Sequence, residues 1–274
     1  MTPRYEELAA PAELVAHVHC VWSFEFDEAG VEQAVPPDGR SELIVNLGTP
    51  YEELGGDGRW TLQPRVLFAG QLTRPLVLRS RGEVDVIGVR FKPAGAWAFV
   101  GAPMSSCTDR RLDLAALHGD VASVALRTRL RDSTDAGARI AALSRYVATQ
   151  IALRDGRRDA EVEACVDRIL AGEGRVALAE LGALAGLGER QLQRRFAEVV
   201  GISPRMLGVV VRLRRVFDAL RDAPWSTWSE RAQAAGFFDH PQMARDFRRL
   251  LGIAPSRWAA RGRGLATSLA DSAA

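Results

Sequence analysis

The sequence predicts an α+β protein: a β-rich N-terminal domain with trailing helices, followed by an all-α domain in which one helix-turn-helix unit is written twice. Three observations predict it. Short runs of β-branched and aromatic residues divided by turn signals fill about 17–92, and apolar residues recur at helical spacing from about 112 onward. The stretch "FAEVVGISPRM" at 196–206 then returns, altered, as "FRRLLGIAPSRW" at 247–258.

The strand runs are "HVHCVWSFEF", "SELIVNL", "RVLFAG", "PLVLRS" and "VDVIGVRF", divided by "PPDG", "GGDG", "TRP" and "SRGE". Leu43, Val45 and Leu47 alternate with Glu42 and Asn46, the pattern of an antiparallel strand with one buried face. "KPAGAWAFVGAP" reads as a short helical turn and 112–153 as helical, with Ile140, Leu143, Val147 and Ile151 on one stripe. That stripe suits the core at least as well as a homodimer seam, since four positions fall short of the three or more heptads of a coiled coil. "LRDGRRDAE" at 153–161 lacks periodicity and reads as a linker. It divides a first domain, 1–155, from a second, 156–262, and a small polar tail at 263–274 is expected to be mobile.

Six helices follow in quick succession in the second domain. Val162, Val166, Ile169 and Leu170 mark the first, which stops near "AGEGR"; Leu178, Leu181 and Leu184 mark the second, ending at Gly186. Leu192, Phe196 and Val199 mark the third. A longer fourth follows "GISP" and is stopped by Pro224. "STWSERAQAAGF" and "DHPQMARDFRRLLG" give the fifth and sixth, the last capped by Asp239 with His240 and Pro241 in its first turn.

Composition narrows the class. The chain has 274 residues, 47% of them hydrophobic, enough for two domains of ordinary size. No run approaches the roughly 18 apolar residues of a membrane span, and "MTPRYEELAAPAEL" is acidic where a secretory leader would be basic and apolar. A cytoplasmic protein with no membrane partner is expected. Cys20, Cys107 and Cys165 are odd in number, scattered and outside any CxxC pair, so inert thiols are expected. Residues 1–174 carry a net charge of about −5 and 175–274 about +7, which suggests that the end of the chain meets a polyanion. Only Lys92 among the 36 basic residues is a lysine, a chain-wide preference without functional weight.

The repeat makes the polyanion specific. Glu180 matches Glu230, Ala185-Gly186-Leu187 matches Ala235-Gly236-Phe237, Leu192 matches Met243, Arg194 matches Arg245, and Phe196 matches Phe247. Gly201-Ile202-Ser203-Pro204 likewise matches Gly252-Ile253-Ala254-Pro255. Each copy is a short helix, a glycine turn and a second helix. Two such units joined by a long helix can enter successive major-groove segments of double-stranded DNA, about 34 Å apart. With Leu192, Phe196 and Val199 facing inward, Arg190, Gln191, Gln193 and Arg194 are left outward, residue types that read guanine and adenine edges. In the second copy Met243 and Phe247 face inward and His240, Gln242, Ala244 and Arg245 are expected to be exposed.

On these residues, and most densely on "AAGFFDHPQMARDFRRLLGIAPSRW", 162–258 resembles the DNA-binding domain of the AraC/XylS-type bacterial transcription regulators. The resemblance implies base-reading roles for Arg190, Gln191, Gln193 and Arg194 in one groove segment and for His240, Gln242, Ala244 and Arg245 in the next. It also implies RNA polymerase as a partner, with transcriptional activation as the family's usual output. Arg231 departs from it, standing where the family usually has an apolar residue and the first copy has Leu181; it either loosens the second unit or packs its stem while the guanidinium reaches out. At the front, "VPPDGRSELIVNLG" and "GVRFKPAG" resemble an uncharacterised β-rich domain, and the family implies that such a domain senses a small-molecule effector, forms a homodimer, or both.

The front domain shows no catalytic constellation: no Ser/His/Asp spacing, P-loop or GxGxxG. His17, His19 and Cys20 have the spacing of metal ligands, but half-buried strand residues are the preferred reading, and no metal or cofactor is expected. Trp22, Arg40, Glu42, Asn46 and Arg90 are candidates for the wall of an effector cavity, against the plainer reading of a polar strand surface. Two rival functions follow from the same residues. One is a DNA-repair alkyltransferase or other enzyme fused to a DNA-binding end, which needs an activated cysteine; the other is a module whose basic end docks an acidic protein.

Overall fold

The computed structural model describes residues 3–133, 135–222 and 226–260. Among these the strands are β1 (Arg4–Ala9), β2 (Val18–Asp27), β3 (Glu32–Val35), β4 (Glu42–Asn46), β5 (Glu52–Leu54), β6 (Trp60–Leu62), β7 (Val66–Ala69), β8 (Leu76–Arg79), β9 (Glu83–Phe91) and β10 (Arg111–Asp113). The helices are α1 (Ala96–Val100), α2 (Leu114–His118), α3 (Asp120–Arg131), α4 (Ala136–Ala152), α5 (Ala160–Ala171), α6 (Leu178–Ala185), α7 (Glu189–Val200), α8 (Pro204–Asp222), α9 (Trp228–Ala234), α10 (His240–Leu251) and α11 (Pro255–Ala260). The fold is α+β, a β-rich N-terminal region followed by helices. Pro224 and the tail at 263–274 lie outside the described residues. No helix among the described residues is long and apolar enough to cross a membrane.

The five predicted strands and six predicted helices form where the periodicity places them. The strands β1, β3, β5, β6 and β10 lie outside the predicted runs. Their sequences, such as "EQAV" and "RLD", are mostly three or four residues long, too short to show a period, and pair in the antiparallel ladders. α11 follows Gly252 and was not expected; Pro255 stands at its first position, where a missing N–H costs nothing.

All strand pairs are antiparallel. The larger sheet runs β1-β2-β9-β4-β7-β10 and the smaller β3-β8-β5-β6. Alternation divides the larger sheet between two apolar layers. Val21, Leu43, Val45, Phe68, Val89 and Phe91 join Phe99, Leu143 and Val147 of the helices in the main core. Trp22, Phe24, Phe26 and Val86 form a separate layer with Tyr51. Ile140 packs on the main core and Leu143, Val147 and Ile151 are buried in it, so that stripe is core and not a dimer seam. Each such buried side chain contributes about 1.5–3 kcal/mol.

The main core does not stop at the predicted linker. Val162, Cys165, Leu181, Leu192, Phe196 and Leu207 belong to it, which places the first helix-turn-helix unit against the front domain. Within 153–161, the Arg157 guanidinium lies 3.6 Å from the Trp97 ring centroid, and buried Asp159 accepts from Arg195 Nε at 2.5 Å. A second core joins Val210, Leu213 and Val216 of α8 to Ala232, Met243 and Phe247 of the second unit.

Candidate nucleic-acid interface and front-domain cavity

The two helix-turn-helix units share their stop signals. α6, α7 and α10 end on Gly186, Gly201 and Gly252, all left-handed. Leu192, Phe196 and Val199 of α7 are buried, and Arg190, Gln191, Gln193 and Arg194 are all exposed, as the spacing predicts. On α10, Met243 and Phe247 are buried and Arg245 is exposed. The other three residues expected to be exposed there are not: Ala244 is 6% exposed, and His240 and Gln242 are half-buried. The turn explains two of them. Phe238 N–H donates to Gln242 Oε1 at 2.8 Å, and the His240 ring stacks on Trp228 at 6.5 Å between centroids. Arg248 and Arg249 are exposed on the same helix and escaped the sequence reading; their i+3 and i+4 spacing from Arg245 is the signal that finds them.

Arg231 is 7% exposed, so its guanidinium does not reach out as one expectation had it. Nε donates to Ser226 Oγ at 3.0 Å, and the guanidinium lies 4.8 Å from the Trp228 ring centroid. The start of α9 beside it is held by a capping box, in which Thr227 N–H donates to Glu230 Oε2 at 2.6 Å and Glu230 N–H to Thr227 Oγ1 at 3.2 Å.

Between the sheets of the front domain lies a cavity of about 120 Å³. Trp22, Arg40, Glu42, Asn46 and Arg90 all line it, so the outward-reading face of β4 turns toward a partly open cavity between the sheets. Most of the remaining wall is apolar, with Phe24, Val35, Ile44, Leu72, Leu76 and Leu78. Gln33, Asp38 and Tyr51 also line it and were missed, because they come from the smaller sheet and its loops, whose position over the larger sheet no local pattern reports. Gly88 makes room for Trp22: a Cβ there would meet the indole within 2.5–2.8 Å.

The charges in the wall are arranged in pairs. Arg90 is 2% exposed, and its Nε donates to Glu42 Oε1 at 2.8 Å, with Glu7 at 3.4 Å and Asp38 at 4.0 Å. Burial pulls the Arg90 guanidinium down, but Glu42 and Asp38 more than reverse it and hold it charged. Arg111 pairs with Glu53. Burial lowers Arg40, which Asp38 partly offsets. Five polar atoms of the wall are buried without a protein partner: Trp22 Nε1, Gln33 Oε1, Arg40 Nη1, Asn46 Oδ1 and the Tyr51 hydroxyl. Tyr51 and Gln33 face each other short of hydrogen-bond geometry, and burial pushes the Tyr51 hydroxyl up to about 12.

The loop 36–40, "PPDGR", touches both regions. Pro36, Asp38 and Arg40 line the cavity, while a Cβ on Gly39 would stand 2.9 Å from Leu207 Cδ1 and 3.5 Å from Val210 Cγ1 of α8. Arg214 of α8 feels Asp38, Arg90 and Glu7 electrostatically and is lowered mainly by burial. The helix that joins the two units therefore leans on the rim of the cavity.

The candidate metal ligands part company. His17 precedes β2 and is buried, while a bulge between Val18 and Cys20 brings His19 and Cys20 together with Glu7. Glu7 accepts from Tyr5 and Arg90, and burial followed by Arg40 brings the His19 imidazole down to about 4. All three cysteines are buried, which raises each thiol, Cys20 to about 12. His118 is half-buried with both ring nitrogens in contact, Tyr146 Oη lying 2.8 Å from Nδ1 and Phe99 O 3.1 Å from Nε2.

Residues 181–261 match a family described as a helix-turn-helix domain, and residues 6–113 one described as a domain of unknown function, DUF6597. Among solved structures, a probable AraC family transcriptional regulator from Rhodopseudomonas palustris CGA009 is 30% identical over 39% of this chain and 100% of its own, at a TM-score of 0.34. ToxT from Vibrio cholerae O395 is 8% identical over 93% of this chain and 98% of its own, at a TM-score of 0.49. The AraC-like transcriptional activator CuxR is 11% identical over 78% of this chain and 81% of its own, at 0.34. A comparison with curated proteins returns no match. The helix-turn-helix match, with 30% identity sustained over the whole of the first of these chains, settles the family: this chain belongs to the AraC family of transcriptional regulators.

Proposed function

We propose that the chain is a sequence-specific DNA-binding regulator of transcription whose grip on DNA is set by a small molecule in the front-domain cavity. The observation that carries this is the exposure of Arg190, Gln191, Gln193 and Arg194 on α7 and of Arg245 on α10, on helices whose opposite faces are buried at matching positions of the two copies. These side chains can read base edges, each good bidentate contact giving about 1–3 kcal/mol of discrimination. His240, Gln242 and Ala244 contribute less in this reading, being partly or wholly buried. In domain terms, 1–155 is the effector-binding unit and 156–262 the DNA-binding unit. RNA polymerase and a second copy of the chain are the further partners that family membership suggests.

Control by the effector is supported by the loop 36–40, which has Pro36, Asp38 and Arg40 at the cavity and Gly39 on α8. A molecule that moves this loop moves the helix joining the two DNA-reading units. The alkyltransferase rival finds little support, because each thiol is raised by burial rather than activated. The test is to bind the 274-residue chain to randomised duplex DNA at physiological salt and sequence the retained fraction. An enriched motif is expected. Retention that fades with salt and enriches nothing contradicts the reading and favours an acidic protein as the partner.

A further inference from the structure

The cavity carries a signature of its ligand, given the reading of this space as the effector site. Buried polar groups in proteins are nearly always hydrogen-bonded, yet five atoms lining this cavity, drawn from both sheets and their loops, lack a protein partner, with Gln33 and Tyr51 facing each other. Two are donors, Trp22 Nε1 and Arg40 Nη1; two are acceptors, Gln33 Oε1 and Asn46 Oδ1; and the Tyr51 hydroxyl serves either way. The ligand they suit has both an acceptor and a donor.

Charge and size narrow it further. Around Arg40, the cations Arg40, Arg90 and Arg214 are equal in number to Asp38, Glu42 and Glu7, which all lie within 4.0 Å of Arg90, and Arg111 is paired with Glu53. The site therefore has no surplus charge to offset an ionic ligand's desolvation, and its wall is mainly apolar. The volume of about 120 Å³ is below that of an apolar cavity of about 150 Å³ that accommodates benzene, so the ligand is limited to about one ring in size. We propose that the cavity binds a small, uncharged, largely apolar ring compound bearing both a hydrogen-bond acceptor and a donor, held by Trp22, Gln33, Arg40, Asn46 and Tyr51.

Three probes of similar size separate the possibilities: benzamide, which has the acceptor and the donor; benzoate, which is an anionic acceptor; and toluene, which has neither. Binding to the 274-residue chain is followed by ligand-observed NMR and by the shift in melting temperature. Benzamide should bind at least tenfold more tightly than either of the others and raise the melting temperature. Ala69→Leu, which adds three carbons to the cavity wall, should abolish its binding. Should that variant fail to fold by circular dichroism, Ile44→Phe fills the same space.

Benzoate binding as well as benzamide would make this an anion site, and toluene doing so would make it a plain apolar void; either result overturns the proposal. So does the failure of all three probes to bind at millimolar concentration, or benzamide binding that survives the filled cavity. The DNA selection is read separately. A chain that selects a motif yet ignores benzamide loses only this inference, whereas one that selects nothing loses the regulator reading whatever benzamide does.

Discussion

Arg231 stands where the first copy has Leu181, and it is buried against Ser226 and Trp228. A buried guanidinium is costly to desolvate, and an apolar side chain of similar volume often replaces it without loss. Arg231→Leu should therefore leave the melting temperature unchanged or raise it, whereas Arg231→Ala, which removes the packing stem as well, should destabilise by about 0.5–3 kcal/mol. Equal losses for both variants in thermal melts would mean that the charge itself holds the unit together. A second residue-scale outcome concerns pH. Burial brings His118 down from 6.5 to about 4, and burial with Arg40 does the same for His19. Both stay neutral in the folded chain while the unfolded chain takes up protons below about 6.5, so stability should be level above that pH and fall as pH drops toward about 4. Denaturant melts across this window check it, and His118→Gln should flatten the decline; an unchanged slope would remove His118 from the account. At this scale the sequence was readable wherever a side chain's burial followed its helical period, as for Leu192 and Phe196. It misled at Ala244, Gln242 and His240, where the turn and Trp228 cover the start of α10.

Among the elements, the loop 36–40 makes the sharpest demand on its sequence. Gly39 has φ +79° and faces Leu207 and Val210 of α8, whereas Gly30 has φ +80° and nothing within 4 Å. Alanine at either position adopts a left-handed backbone at a cost of about 1–3 kcal/mol. Only Gly39→Ala also presses on α8. Gly39→Ala should lose at least as much stability as Gly30→Ala, and only Gly39→Ala should alter hydrogen exchange in 204–222 and affinity for the selected DNA. Equal effects of both on DNA affinity would show that α8 does not sense the loop. "PPDG" is legible in the sequence as a turn, but its contact with a helix about 170 residues later is not, because a turn signal is local and this contact is tertiary. For the same reason the short strand β3, whose Gln33 and Val35 line the cavity, left no trace in the hydrophobic pattern.

At the scale of the whole molecule, the duplicated motif was the most legible feature, since matching glycines and buried apolar positions recur in both copies. How the halves meet was not legible. The stretch 153–161 reads as a linker because it lacks apolar periodicity, yet Arg157 stacks on Trp97, Asp159 holds Arg195, and one core runs from the strands into α7. Polar and aromatic contacts of this kind have no period to detect. The continuous core gives the first unit a fixed seat on the front domain, while the second is built on α8 around its own core. The central claim is that these two units read two groove segments. It is tested most directly by repeating the selection of randomised duplex DNA with the unaltered chain, with Arg194→Ala and with Arg245→Ala. The account predicts two short blocks about 34 Å apart, roughly one helical turn, with each variant losing information in a different block. A single block, or the same loss from both variants, would contradict it.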